Sequence, residues 1–151
     1  MIGADTLIVP LLQAFFWFDD GLQSYLQARG WNQVTRPQSM VMANVVMGVH
    51  KPSDIARNLG ISRQAVHTTI NQMVELGMLE LREDAEDGRA KTVALTPRGQ
   101  DMRQDADRVM SDLQAELRRR IGGRNVDNLI KAFSADWGPP ITDWPRPKSD
   151  G

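Results

Sequence analysis

Residues 53–77, SDIARNLGISRQAVHTTINQMVELG, contain two helical patterns separated by a glycine. Ser53 is a candidate N-cap for a first helix over Asp54 to Leu59, and Gly60 supplies the turn. A second, longer helix is predicted from Ser62 to Leu76, with its first residue as the N-cap. Two short helices joined by a turn that contains glycine are typical of a helix-turn-helix.

The second helix divides into an apolar and a polar side. The side predicted to be buried consists of Ala65, Val66, Ile70, Met73 and Val74. The side predicted to be exposed consists of Arg63, Gln64, His67, Thr68, Asn71 and Gln72. Small Ala56 suits a close crossing of the two helices, and apolar Ile61 and Val66 are expected to lock the angle between them.

The exposed side carries the residue types that read DNA. A lone helix fits the major groove, where arginine pairs with guanine or a phosphate and glutamine pairs with adenine. The contacts predicted from this helix are Ser62, Arg63, Gln64, His67, Thr68 and Asn71. No acid occurs from Ile55 to Val74, although the chain has 19 acids and a net charge of −1. An ordinary solvated helix face is the alternative interpretation of this pattern.

After Gly77 the apolar period changes to two, which predicts two strands around Leu79 to Arg82 and Thr92 to Leu95. The polar segment Glu83 to Ala90 between them is predicted to be an exposed hairpin loop. A β-hairpin directly after the recognition helix, the helix that enters the major groove, defines a winged helix-turn-helix. An arginine at the tip of the hairpin is attracted by the negative potential of the minor groove. The contacts predicted from this wing are Arg82, Asp87, Arg89 and Lys91. An Asp-Gly turn with an incidental arginine is the alternative.

Amphipathic helices are predicted on both sides of this region. They run from Pro10 to Arg29, from Pro37 to a break at Lys51, from the Thr96-Pro97 start towards Arg120, and from Val126 to Trp137. We expect one domain, 1–151, that is mainly α with a small β-hairpin wing. Its segments are an N-terminal dimerisation helix (1–36), a winged helix-turn-helix (37–99), C-terminal dimerisation helices (100–137) and a Pro-rich tail (138–151). The sequence does not indicate the role of the tail.

The residue inventory disfavours several classes of protein. The chain has no cysteine, which excludes thiolate zinc sites and thiol redox sensing. With two histidines and no glycine-rich phosphate loop, we expect no catalytic site, metal or cofactor. The apolar run Leu7 to Phe18 is too short to cross a bilayer and lacks the flanks of a secretory signal, so we expect a cytoplasmic protein.

Asp87-Gly88-Arg89 followed by Leu95-Thr96-Pro97-Arg98-Gly99 resembles the wing motif of the MarR family, Asp-x-Arg and then Leu-Thr-x-x-Gly. Asp54-Ile55-Ala56 and Leu59 to Ser62 resemble the helix-turn-helix of that family. The resemblance implies a homodimer in which Arg89 enters the minor groove and Asp87 braces it. It also implies a ligand pocket between the dimerisation helices and the winged region, with candidate lining residues Trp17, Trp31, Met40 and Met47. The C-terminal helices, which look short and broken at Gly122 and Gly123, and the Pro-rich tail depart from the family pattern.

The sequence therefore predicts a transcriptional regulator that binds a pseudo-palindromic operator as a homodimer. A small apolar ligand is a candidate signal for its release from DNA. The alternative is a winged-helix module that contacts proteins and does not bind DNA sequence-specifically, because a fold alone does not fix a function.

Overall fold

The structure, a computed structural model, describes residues 6–31 and 34–145. Residues 1–5, 32 and 33 of the predicted N-terminal region and residues 146–151 of the predicted tail, which include Pro147, lie outside the described residues. The elements in chain order are α1 (Ile8–Ala28), α2 (Arg36–Val46), α3 (Pro52–Leu59), α4 (Arg63–Glu75), β1 (Leu79–Glu83), β2 (Lys91–Leu95), α5 (Pro97–Ile121) and α6 (Gly123–Phe133).

The core lies where α2, α3, α4 and the hairpin meet. Ile55, Val66, Ile70, Met73 and Val93 are completely shielded from solvent there. Strands β1 and β2 pair antiparallel, with Leu79 opposite Leu95 and Glu83 opposite Lys91. The predicted fold class, mainly helical with a hairpin after the second helix of the pair, is confirmed.

The caps of the helix pair differ from the prediction at one end. The predicted cap Ser53 is wrong: α3 begins at Pro52, one residue earlier, and Ser53 lies inside its first turn. Proline suits that position because it has no N–H to satisfy. Ser62 caps α4 as predicted, since its hydroxyl accepts a hydrogen bond from the amide of Ala65 at 3.1 Å.

The angle between α3 and α4 is held by the backbone of the turn. Ile61 was predicted to lock it, but 43% of that residue is exposed. Gly60 instead adopts a left-handed conformation with φ +64°, and the Ile61 amide donates to the carbonyl of Ala56 at 3.2 Å. On α4 the predicted burial of Ala65 and Val74 is wrong, because both are exposed, and Thr69 is buried on that side.

Helix α1 keeps most of its apolar side uncovered. Asp19 and Leu26 are the buried residues of this helix, whereas Leu12, Phe15 and Phe16 are exposed. Asp19 accepts a hydrogen bond from the guanidinium of Arg36 at the start of α2. Helix α1 is therefore joined to α2 by this polar contact and by burial of Leu26 in the core. The Arg36 guanidinium also lies over the Phe16 ring at 4.9 Å, whereas Leu12 and Phe15 are exposed.

The C-terminal helices are not both short, as the sequence suggested. Helix α5 has 25 residues and ends before Gly122, whose φ is +90°. Helix α6 begins at Gly123, earlier than the predicted Val126, and ends at Phe133. The chain falls into two compact units, one ending at Gln114 and the other beginning at Ala115, so that the division lies within α5. In the second unit Arg119 and then Arg120 lower the pKa of Glu116 to about 2.

The Leu-Thr-x-x-Gly segment joins the hairpin to α5 by close contacts. The Thr96 hydroxyl donates to the carbonyl of Gly77 and accepts from the amide of Gly99 at 3.0 Å, and the Thr96 amide donates to the carbonyl of Met78. A Cβ on Gly99 would lie 2.1 Å from the Met78 oxygen. Only glycine fits at this position, because a side chain would force the first turn of α5 away from the end of the turn that precedes β1.

We predict that Gly99→Ala lowers the free energy of unfolding by about 2–3 kcal/mol, because the added methyl overlaps a backbone oxygen that cannot move aside. Chemical denaturation measures the change. Gly88→Ala in the wing loop is the matched control: a Cβ there has no neighbour within 4 Å, so its effect should stay within about 0.5 kcal/mol. Equal stabilities of the two variants would contradict the close approach.

Candidate nucleic-acid interface

Helix α4 presents all of its predicted reading residues to solvent. Arg63, Gln64, His67, Thr68 and Asn71 are exposed, and they lie opposite the buried side. Within residues 6–31 and 34–145 neither Arg63 nor His67 takes part in an ion pair. The Arg63 guanidinium is therefore not neutralised by an acid within the described residues, and both side chains are accessible to a phosphate or a base.

The hydroxyls of the helix have defined roles. Ser62 accepts from the Ala65 amide, which leaves its own hydroxyl hydrogen available to a ligand. Thr68 donates to the carbonyl of Gln64 at 3.0 Å, which leaves its oxygen as an acceptor. The start of α4 thus offers a donor at Ser62, and the next turn offers an acceptor at Thr68.

The wing loop is ordered by two aspartates that bond to backbone amides. Asp84 accepts from the Glu86 amide at 3.0 Å, and Asp87 accepts from the Arg89 amide at 3.1 Å. The resemblance implies that Asp87 braces Arg89, and in the structure Asp87 does so by accepting from the Arg89 backbone amide and not from its guanidinium. Asp87 fixes the loop conformation, and the exposed Arg89 guanidinium takes part in no ion pair within the described ranges.

Charges at the base of the wing are partly paired. The pKa of Asp84 lies below its ordinary value, first because the Glu86 amide bonds to the carboxylate, and also because Lys51 lies 3.6 Å away. Arg82, a predicted DNA contact, bonds to the carboxylate of Glu80 on the same strand. In the described part of the chain, Arg89 and Lys91 are the predicted wing cations that keep an unpaired charge.

The four predicted ligand-lining residues lie in different surroundings. Trp17 packs edge to face on Phe18 at 4.9 Å, and Met47 is 70% exposed. Met40 is half-buried and lines a cleft between α2 and α4. The Trp31 indole donates to Asp105 of α5 at 3.0 Å. This hydrogen bond is the main reason that the pKa of Asp105 lies below its ordinary value, and the hydrogen bond from Arg29 lowers it further.

A different set of residues forms an apolar cavity between α1, α2 and α5. Its volume is about 200 Å³, and its walls include Leu22, Leu26, Met42 and Met102. Arg103 lies in this lining, and its Nε is buried with no hydrogen-bond partner in the described residues, although the carboxylate of Asp107 lies 3.7 Å away. Arg103 could not be recognised from the sequence, because nothing in its spacing on α5 distinguishes it from the other charged residues of that helix.

The helix pair, the capped reading helix and the hairpin that follows it define a winged helix-turn-helix protein. A sequence model of the MarR family matches residues 32–90, which include the helix pair and the wing loop. The sequence match over residues 32–90 and the shared fold confirm the resemblance to the MarR family seen in the sequence.

Solved structures show the same fold over most of the chain. The multiple antibiotic resistance repressor MarR is 22% identical with a TM-score of 0.69, and the alignment covers 89% of this chain and 97% of that one. The apo form of MarR from E. coli is 21% identical with a TM-score of 0.67, over 88% and 96% of the two chains. A mutant of MepR from S. aureus, solved bound to an oligodeoxyribonucleotide, is 14% identical with a TM-score of 0.58, over 85% and 94%. At these identities the likeness concerns the fold.

No helix in the described ranges is both long enough and apolar enough to span a membrane.

Proposed function

We propose that this protein is a transcriptional regulator that binds a specific DNA site in the cytoplasm, without enzymatic activity. The observation that carries the proposal is the exposed, acid-free side of α4 beside a wing whose Arg89 takes part in no ion pair in the described residues. Helix α4 would lie in the major groove with Arg63 and Gln64 against base edges, and Arg89 would enter the flanking minor groove.

A protein-contact role is the second candidate, and the charge of the wing favours it. Asp84, Glu86 and Asp87 place three acids on the loop that carries Arg89, and Glu83 adds a fourth at the end of β1. These acids repel phosphates, so the wing can approach DNA only if its cations dominate at the tip. The affinity of the wing for DNA therefore discriminates between the two candidates.

We predict that Arg89→Ala and Gln64→Ala impair DNA binding in different ways. Arg89→Ala should weaken binding to preferred and scrambled duplexes alike and reduce the dependence on salt, because a groove cation releases counterions. Gln64→Ala should lower the binding free energy for the preferred duplex by roughly 1 to 3 kcal/mol. It should also reduce the discrimination between base pairs at one position in each half-site. The measurement is titration at two salt concentrations against a duplex selected from a random pool.

Asp87→Asn is the matched control, since its amide oxygen can still accept from the Arg89 backbone while one acid is removed. It should bind DNA at least as well as the wild type. If Arg89→Ala binds both duplexes as the wild type does, the wing does not touch DNA and the protein-contact candidate replaces the proposal.

We further propose a homodimer in which each copy reads one half-site. Helix α1 exposes Leu12, Phe15 and Phe16, and α6 exposes Leu129, Ile130 and Phe133. Apolar side chains at this density on a helix face are typical of a surface that another chain covers. Two copies related by a two-fold axis would place their α4 helices in successive major grooves, about 10 bp apart.

We predict twice the mass of one chain in light scattering at micromolar concentration, because an exposed apolar side of α1 is stable only when covered. Phe15→Glu together with Phe16→Glu should shift the protein to the mass of one chain and weaken its binding to a two-half-site duplex. Gln13→Glu and Gln27→Glu, at exposed polar positions of α1, add the same charge as a control and should leave the mass unchanged. A wild-type monomer whose mass DNA does not change would refute the dimer.

The cavity between α1, α2 and α5 supports the proposal that a small apolar ligand releases the protein from DNA. Its walls are mainly apolar, with Ser39, Arg103 and Asp107 as the polar lining residues, and the Arg103 Nε offers one donor without a hydrogen-bond partner in the described residues to an acceptor on the ligand. Because α1 belongs to the proposed dimer surface and α2 to the winged region, a ligand here would change the spacing of the two winged regions.

We predict that a hydrophobic acid or phenol from a broad panel raises the melting temperature and lowers the affinity for DNA. Arg103→Met should abolish both effects while leaving DNA binding without ligand unchanged. Arg108→Met, at an exposed cation on the same helix, should respond as the wild type does. A panel that neither shifts the melting temperature nor releases DNA would remove the support for a ligand-controlled regulator.

A further inference from the structure

Gln38 connects the start of α2 to α4, the proposed recognition helix. Its side chain is 5% exposed, although glutamine is a polar residue usually found at the surface. The Gln38 Oε1 accepts from the Thr35 backbone amide at 2.9 Å, and its Nε2 donates to the Oε1 of Gln72 on α4 at 3.3 Å. The backbone amide of Gln38 donates to the Thr35 hydroxyl, which completes a capping box at the start of α2.

These bonds determine which way both side-chain amides point. The Thr35 amide is a backbone donor, so only the oxygen of Gln38 can face it. The side-chain nitrogen of Gln38 must then face Gln72, and the side-chain oxygen of Gln72 accepts its hydrogen bond. The nitrogen of Gln72, with its two hydrogens, is therefore on the side of the amide away from Gln38, and it donates no hydrogen bond within the described part of the chain.

Gln72 lies one helical turn beyond Thr68 and is exposed. Base edges are read mainly by the N-terminal residues of such a helix, whereas residues further along it and at its flank meet the DNA backbone. A phosphate oxygen accepts hydrogen bonds and donates none, so it matches an amide nitrogen that is held outward. A rotating amide would present its oxygen to the phosphate in part of its conformations.

We propose that Gln72 donates to a DNA phosphate and that Gln38 is the positioning residue that holds its amide in the donating orientation. This inference rests on the proposed DNA binding and adds to it a contact that the sequence analysis left out of the interface. The same bonds tie the orientation of α4 to the start of α2, where Arg36 meets Asp19 of α1.

The test is titration of variants against the preferred and a scrambled duplex. Gln72→Met should weaken binding to both about tenfold, because a donor to a charged acceptor is lost. The salt dependence should stay as in the wild type, because an amide releases no counterion. Gln38→Met should weaken binding to both by about two- to tenfold, since the freed amide must be ordered on binding.

Two controls separate positioning from stability. Thr35→Ala removes the hydroxyl half of the capping box and leaves the pair Gln38 and Gln72 intact, so it should lower the melting temperature without weakening DNA binding. In the double variant, Gln38→Met should cause no further loss once Gln72 is methionine, because its effect passes through that side chain.

Each failure has a distinct meaning. Wild-type affinity of Gln72→Met, or a loss limited to the preferred duplex, would overturn the phosphate contact. An equal loss from Gln38→Met in both backgrounds, or a matching loss from Thr35→Ala, would overturn the positioning role. If the wild type itself binds no duplex, the proposed function fails and not merely this contact.

Discussion

Burial of one side of α4 is the constraint on which the candidate interface depends. Val66, Ile70 and Met73 are fully enclosed by α2, α3 and the hairpin, so the helix cannot rotate without exposing them. Each such side chain contributes roughly 1.5–3 kcal/mol when it leaves water. The polar side of α4 is consequently held outward, and its side chains occupy fixed positions along the helix before any partner is present.

Features that depend on short-range chemistry could be predicted from the sequence. The caps at Ser62 and Thr96, the turn at Gly60 and the exposed side of α4 all follow from a residue and its immediate neighbours. The predictions that failed concern burial, which depends on how distant segments pack: Ile61 is exposed although its amide closes the turn, and Ala65 is exposed whereas Thr69, one turn later on α4, is buried. The predicted DNA contacts themselves remain predictions that only binding experiments can test.

Contacts between distant segments could not be predicted, for a physical reason. The bond from Gln38 to Gln72 joins residues 34 positions apart, and the buried Arg103 Nε is recognisable only when three helices enclose it. Likewise, the sequence places Asp87 near Arg89 but does not indicate whether the carboxylate meets the guanidinium or the backbone. The loop geometry decides this, and it gives Asp87 a conformational role. A net charge of −1 is also uninformative, because a total does not show that the stretch from Ile55 to Val74 contains no acid.

The uncovered apolar side of α1 has a consequence for how the protein forms in the cell. Helix α1 precedes the winged region in the chain, so it leaves the ribosome first. If the proposed homodimer forms, its exposed phenylalanines are covered only when a second chain binds, and until then they are exposed to chaperones and to aggregation. Assembly would be favoured where several chains are synthesised close together, as on one messenger RNA. For such a protein, stability and cellular concentration are linked quantities, because folding is completed by association.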